Sequence, residues 1–147
     1  MTETTTDLPQ ALQEIVDDFA DLLPQDRLQL LLEFSKGLPD LPARFQDHPE
    51  LLEPVPECQS PIFLVTEVEE DGTVRLYFSA PPEAPTTRGF AGILQEGLDG
   101  ASAETVTAVP ADLPLRLSLT QAVSPLRLNG MSGMLTRIQR QVAEKTQ

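Results

Sequence analysis

IFLVTEVEEDGTVRLYFS, residues 62–79, carries the fold signal. Ile62 to Val68 is rich in β-branched and aromatic residues, which favour a pleated backbone. Asp71-Gly72 supplies a residue pair suited to a tight hairpin turn. Beyond it, Val74, Leu76 and Phe78 alternate with Arg75, Tyr77 and Ser79, the period of a half-buried antiparallel strand. The stretch therefore predicts one hairpin in a chain whose flanks read as helices.

On the N-terminal side, Leu12, Ile15, Val16, Phe19, Leu22 and Leu23 recur at helical spacing, with Asp7 and Gln10 placed as a capping pair. Pro24 opens a second helix with Leu28, Leu31, Leu32 and Phe34, and Gly37 is a suitable stop. On the C-terminal side, a helix follows Pro85, with Thr86 or Thr87 as its expected cap. It runs through Phe90, Ile93, Leu94 and Leu98 to Gly100. Gly89, Gly92 and Gly97 weaken it intrinsically, which predicts close packing against a neighbour. Ser102–Val106 reads as a short helix and residues 107–123 as irregular. Ser124-Pro125 caps and opens a last helix, with Met131, Met134, Leu135, Ile138 and Val142 on one face. Arg137, Arg140 and Lys145 near its end suit the helix dipole. Helices, a small antiparallel sheet, then helices define an α+β fold. At 147 residues the chain reads as a single domain, with residues 1–6 expected to be a flexible tail.

Between the second helix and the hairpin, Pro39, Pro42, Pro49, Pro54 and Pro56 forbid a long helix or a central strand. Long connections of this kind are functional or disordered. Leu41, Phe45, Leu51, Leu52 and Val55 predict that this one packs down.

The net charge is −13. Residues 1–72 carry 17 acidic and 3 basic side chains, and residues 73–147 carry 6 and 7. Such a chain repels phosphate backbones, so nucleic acid is not expected as a partner. The acidic half serves solubility or steers the protein toward a basic surface. No apolar run approaches the roughly 18–20 residues of a membrane span, and the N-terminus is not expected to be a signal peptide. With one cysteine in the chain, the reducing cytoplasm is the expected compartment.

That cysteine, Cys58, lies in VPECQSPIF, residues 55–63. One Cys and one His cannot form a Cys/His metal or cluster site, and no cofactor motif is present. A lone cysteine can be a small buried hydrophobe. Cys58 instead follows Glu57 and precedes Gln59 and Ser60 at a loop–strand junction, where scaffolds present functional side chains. Glu57 should raise the thiol pKa; a cation brought in by the fold would offset it, with Arg88 and Arg127 as candidates. Cys58 with His48 is also a possible nucleophilic pair, which leaves a cysteine-dependent hydrolase open. A binding module with an inert buried cysteine is open as well.

Cys58-Gln59-Ser60 resembles the Cys-Gln-Ser motif of the SufE-type cysteine desulfuration proteins. Asp26-Arg27 and Leu38-Pro39 resemble the family's N-terminal part. Thr87-Arg88-Gly89-Phe90 resembles its basic-Gly step. Leu119-Thr120 through Ser124-Pro125-Leu126-Arg127 to Gly130-Met131 resembles its C-terminal signature. The resemblance implies a fold similar to SufE and IscU-like proteins. It implies a sulfur carrier rather than an enzyme, with Cys58 holding a persulfide received from a pyridoxal-phosphate cysteine desulfurase of the SufS type. Delivery would be to a SufBCD-like iron–sulfur scaffold complex. Two positions depart from the pattern: Glu57 stands where glycine commonly precedes the cysteine, and Phe63 where tryptophan is common. A positive φ at the glycine position would strain Glu57.

Overall fold

The computed structural model describes residues 8–146. Two helices, α1 (Gln10–Asp21) and α2 (Pro24–Gly37), precede the proline-rich segment. That segment holds a single turn of helix, α3 (Ala43–Gln46), a 3-10 turn at Pro49–Leu51, a two-residue strand β1 (Glu53–Pro54) and a second 3-10 turn at Pro56–Cys58. The hairpin strands β2 (Phe63–Val68) and β3 (Val74–Ser79) follow, then α4 (Pro85–Leu98), α5 (Ala103–Thr107), α6 (Leu113–Arg116) and α7 (Pro125–Lys145). The architecture is α+β, as the hairpin between helices predicts.

The sheet is antiparallel in the order β1-β2-β3. In the hairpin Phe63 faces Ser79 and Val68 faces Val74. Its turn works as expected: Gly72 has φ +89°, and Asp71 Oδ1 accepts from the Thr73 N–H at 3.0 Å. Both faces of the hairpin are covered. Leu64, Val74, Leu76 and Phe78 belong to the main core with the helices. Val65 turns the other way, onto Phe45 and Leu52 of the proline-rich segment. That segment is packed down as predicted, with Val55 also buried, although Leu51 stays 54% exposed. β1 is an edge strand, the position a strand containing proline can take.

α4 is the hub of the core, and its glycines are why. A Cβ on Gly89 would lie 2.6 Å from the Leu31 carbonyl oxygen, and one on Gly92 only 2.3 Å from that of Phe34. On the same helix a Cβ on Gly97 would meet Leu12 Cδ1 at 2.7 Å. Small residues let α4 touch the backbone of α2 and the side chains of α1. Phe19 and Phe90 are fully buried at this junction, each contributing roughly 2–3 kcal/mol by removal from water.

Several local expectations change. The Asp7 cap lies outside the described residues; α1 begins at Gln10 with Pro9 at the cap position and no side-chain cap. α4 starts at Pro85 with Ala84 before it, so neither Thr86 nor Thr87 caps it, and Thr87 is buried within the helix. Proline at the first position removes one of the N–H groups a cap would serve. Within residues 107–123, read as irregular, Leu113–Arg116 forms a helical turn that buries Leu113 and Pro114; a single turn is too short for periodicity to reveal. The expected Ser124 cap is present, and Ser102 caps α5 in the same way, each hydroxyl accepting from the N–H three residues on. No helix among the described residues is long and apolar enough to cross a membrane.

Candidate functional site

Cys58 sits at the end of a 3-10 turn held between two buried anchors, Val55 and Ile62. The Val55 N–H donates to Ile62 O at 2.9 Å, closing the base of the loop. Within it, the Cys58 N–H donates to Val55 O at 3.1 Å and the Gln59 N–H to Pro56 O at 3.1 Å. Gln59 then takes φ +59°, a left-handed conformation that reverses the chain toward Ser60, whose carbonyl accepts from the Ile62 N–H. The strained position is thus Gln59, not Glu57, which lies within the 3-10 turn. Glycine's absence before Cys58 carries no conformational penalty here.

The loop rests on α7 at two glycines. A Cβ on Gly130 would lie 3.1 Å from Cys58 Sγ and 3.2 Å from its Cα; one on Gly133 would lie 2.9 Å from Glu57 Cδ. The Cys58 thiol donates to Gly130 O at 3.5 Å. It is half-buried. Burial, and secondarily the charge of Glu57, push its pKa up to about 12, with Arg137 pulling weakly the other way. In this conformation Cys58 is a neutral thiol.

Glu57 runs along α7 to Arg137. Arg137 Nη1 donates to Glu57 Oε2 at 3.0 Å and to Gly133 O at 3.1 Å. Backbone hydrogen bonding at Glu57 and then Arg137 hold the Glu57 carboxyl below the usual range. Arg137 Nε lies 3.3 Å from Glu53 Oε2, and Arg140 Nη2 also pairs with Glu53. Lys145 Nζ donates to Thr66 O. These three basic residues therefore tie the loop and β2 to α7; of the three, Lys145 also lies in the last turn of α7, where a cation suits the helix dipole as expected.

The two candidate arginines are placed elsewhere. Arg88 donates from Nε to Ser35 O at 2.9 Å, from Nη1 to Ala80 O at 2.7 Å and from Nη2 to Leu38 O at 3.2 Å. It clamps the end of α2 to the end of β3. Arg88→Ala should therefore cost about 2–3 kcal/mol in chemical denaturation, since it strands carbonyls that accept charge-assisted bonds, while leaving the rate of Cys58 alkylation unchanged. Arg127 is exposed; its backbone N–H meets the Ser124 cap. The cation near Cys58 is Arg137. His48 is exposed and pairs through Nδ1 with Glu50 Oε2 at 3.1 Å. The structure brings Cys58 together with Glu57 and Arg137, not with His48.

Sequence alone assigns neither Gly133 nor Glu53 to the site, and gives Arg137 only to the helix dipole. The available signal was Gly130 and Gly133, spaced three apart with Arg137 four further on, one face of one helix. Glycines on a helix face mark where another backbone comes close.

The site thus defines a class: an α+β domain with one thiol, presented on a loop pressed against a helix. The chain belongs to the SufE family, matching the family model described as "Fe-S metabolism associated domain" over residues 13–142. It is 53% identical over 137 residues to an uncharacterized SufE-like protein of Mycobacterium tuberculosis, covering 93% of this chain and 94% of that one. It is 29% identical to SufE-like protein 1, chloroplastic/mitochondrial, of Arabidopsis thaliana, covering 91% of this chain but 35% of that longer protein. The solution structure of a hypothetical protein from Thermus thermophilus superposes with a TM-score of 0.83 at 40% identity, covering 95% of this chain and 98% of that one. The resemblance drawn from Cys58-Gln59-Ser60 is borne out at the level of the family, and the family is one of iron–sulfur metabolism.

Proposed function

We propose that this protein is a sulfur carrier in iron–sulfur cluster assembly, accepting sulfur on Cys58 from a pyridoxal-phosphate cysteine desulfurase of the SufS type. The observation that carries this reading is the placement of the chain's only cysteine at the tip of a closed loop, sheltered on Gly130. The Cys58 thiolate attacks the outer sulfur of a persulfide on the donor's cysteine. A sulfur–sulfur bond forms at Cys58, the donor's breaks, and the donor cysteine leaves as a thiolate that takes up a proton. No net oxidation occurs. Clearing the donor stimulates the desulfurase, and Cys58 then passes the sulfur to a SufBCD-like scaffold complex. With no second thiol in the chain, nothing internal can attack the carried persulfide and release sulfide. We place the exchange in the reducing cytoplasm.

A neutral, half-buried thiol does not attack. The loop at residues 52–60 therefore has two positions, one sheltered on α7 and one swung out to the partner. The high thiol pKa gives this a measurable form. Alkylation of Cys58 in the isolated protein should keep rising with pH through pH 10, whereas levelling near pH 9 would mean that the thiol is not sheltered. Ionisation of the thiol also lowers folding stability as pH rises. The folded state holds the thiol proton more tightly than the unfolded chain, so this contribution is complete below about pH 8.5. It is lost as pH rises toward about 12.

The direct test is the intact mass of the protein after incubation with a cysteine desulfurase and cysteine. One reductant-sensitive sulfur on Cys58 is expected, and no added sulfur would refute the carrier reading. Burial of the thiol favours a second reading, a binding module with an inert cysteine. That reading predicts no added sulfur in the same experiment and slow alkylation of Cys58 even with the desulfurase present.

A further inference from the structure

The stretch leading into Cys58 is gripped at both ends by one side chain. Arg137, 19% exposed, holds Glu57 through Nη1 and lies 3.3 Å from Glu53 through Nε. The two ends differ in how firmly they are held. Glu53 is also bound by Arg140 and by Gln141 Nε2 at 3.0 Å, and Gln141 Oε1 accepts from the buried Thr66 N–H at 2.7 Å. That end is locked to β2 and α7 together. Among the described residues the cation paired with Glu57 is Arg137. The Glu57 side chain is 35% exposed. Its Oε1 lies 2.9 Å from Arg137 Nη1, yet the N–H is aligned on Oε2, and Oε1 has no hydrogen-bond partner. One carboxylate oxygen of Glu57 is thus buried and unsatisfied while the side chain as a whole still reaches solvent, so a competing cation that meets both oxygens can displace Arg137.

We propose that Arg137 is the positioning residue that keeps the Cys58 turn on α7, and that Glu57 is the handle by which a cationic side chain of the sulfur donor opens it. This rests on the carrier reading above and names what releases the loop. Charge selects the partner group: residues 1–72 carry 17 acidic and 3 basic side chains, so a docking surface complementary to this half is basic. Exchange of Glu57 from Arg137 to the partner does two things at the thiol. It lets Cys58 leave α7, and it keeps the Glu57 charge neutralised while the thiolate forms. Simple loss of the ion pair would do only the first. Gly133 is part of the device, because any side chain there would collide with Glu57 where it crosses α7.

The Cys58 and Gln59 amides donate to Val55 O and Pro56 O within the turn, so their hydrogen exchange reads its opening directly. Arg137→Gln and Glu57→Gln should each speed that exchange up to about fivefold. The double variant should not exceed Arg137→Gln, since Glu57→Gln removes an interaction that Arg137→Gln has already removed. Arg137→Lys, which keeps the charge and folds more safely, should show a smaller effect in the same direction. With a desulfurase and cysteine, Glu57→Gln should accept sulfur about tenfold more slowly than wild type despite its looser turn. That opposition of sign separates a handle from a merely stabilising contact. Additive effects on exchange overturn the clamp, and sulfur acceptance by Glu57→Gln as fast as wild type overturns the handle. If wild type accepts no sulfur, the carrier reading fails, and the exchange cycle still judges the clamp independently.

Discussion

Cys58→Ser should accept no sulfur at all from a cysteine desulfurase, while its unfolding midpoint stays within a few degrees of wild type. Serine keeps the shape of the side chain and can still donate to Gly130 O, so the turn has no reason to move. What is lost is the atom. A hydroxyl is far too weakly acidic to ionise in this environment, and an oxygen cannot form the sulfur–sulfur bond that persulfide transfer requires. Intact mass after reaction reads the first half of the prediction and thermal unfolding the second. Sulfur found on the variant would place acceptance outside Cys58, and the chain offers no other thiol for it.

Gly92→Val should destabilise the fold by about 3 kcal/mol or more, the largest effect we expect from a substitution outside the site. The first atom such a side chain adds would lie 2.3 Å from the Phe34 carbonyl oxygen and 2.8 Å from its carbonyl carbon. Those are backbone atoms of α2, and no rotamer change can move them aside. α4 and α2 must separate instead, opening the contact that also carries Gly89 against Leu31. Denaturant titration followed by circular dichroism measures the loss. By contrast, a methyl group on Gly37 would have no atom within 4 Å, so Gly37→Ala should leave the midpoint nearly unchanged and serves as the control.

The hairpin, the helical flanks and the Ser124 cap were readable because each rests on interactions local in sequence. Alternation at Val74, Leu76 and Phe78 needs only its own strand to be recognised, and Asp71-Gly72 needs only its own φ. The crowded face of α4 was readable too, since three glycines weaken a helix unless a close neighbour requires them. Cys58 stood out from its polar neighbours and its place at a loop–strand junction.

Whatever depended on partners distant in sequence was hidden. Arg88 looked available for the thiol, but its guanidinium is taken up by carbonyls of Ser35, Leu38 and Ala80. Arg137 looked like a charge for the helix end, yet it lies 80 residues from the Glu57 it grips. Composition, periodicity and turn chemistry are properties of a single chain and carried the α+β class, the lone thiol and the acidic half. Which cation faces Cys58, whether its thiol is ionised, and which residue bears the left-handed φ are set by what α7 lays against the loop. Electrostatic and steric forces act through space, and spatial neighbours are assigned when the chain folds.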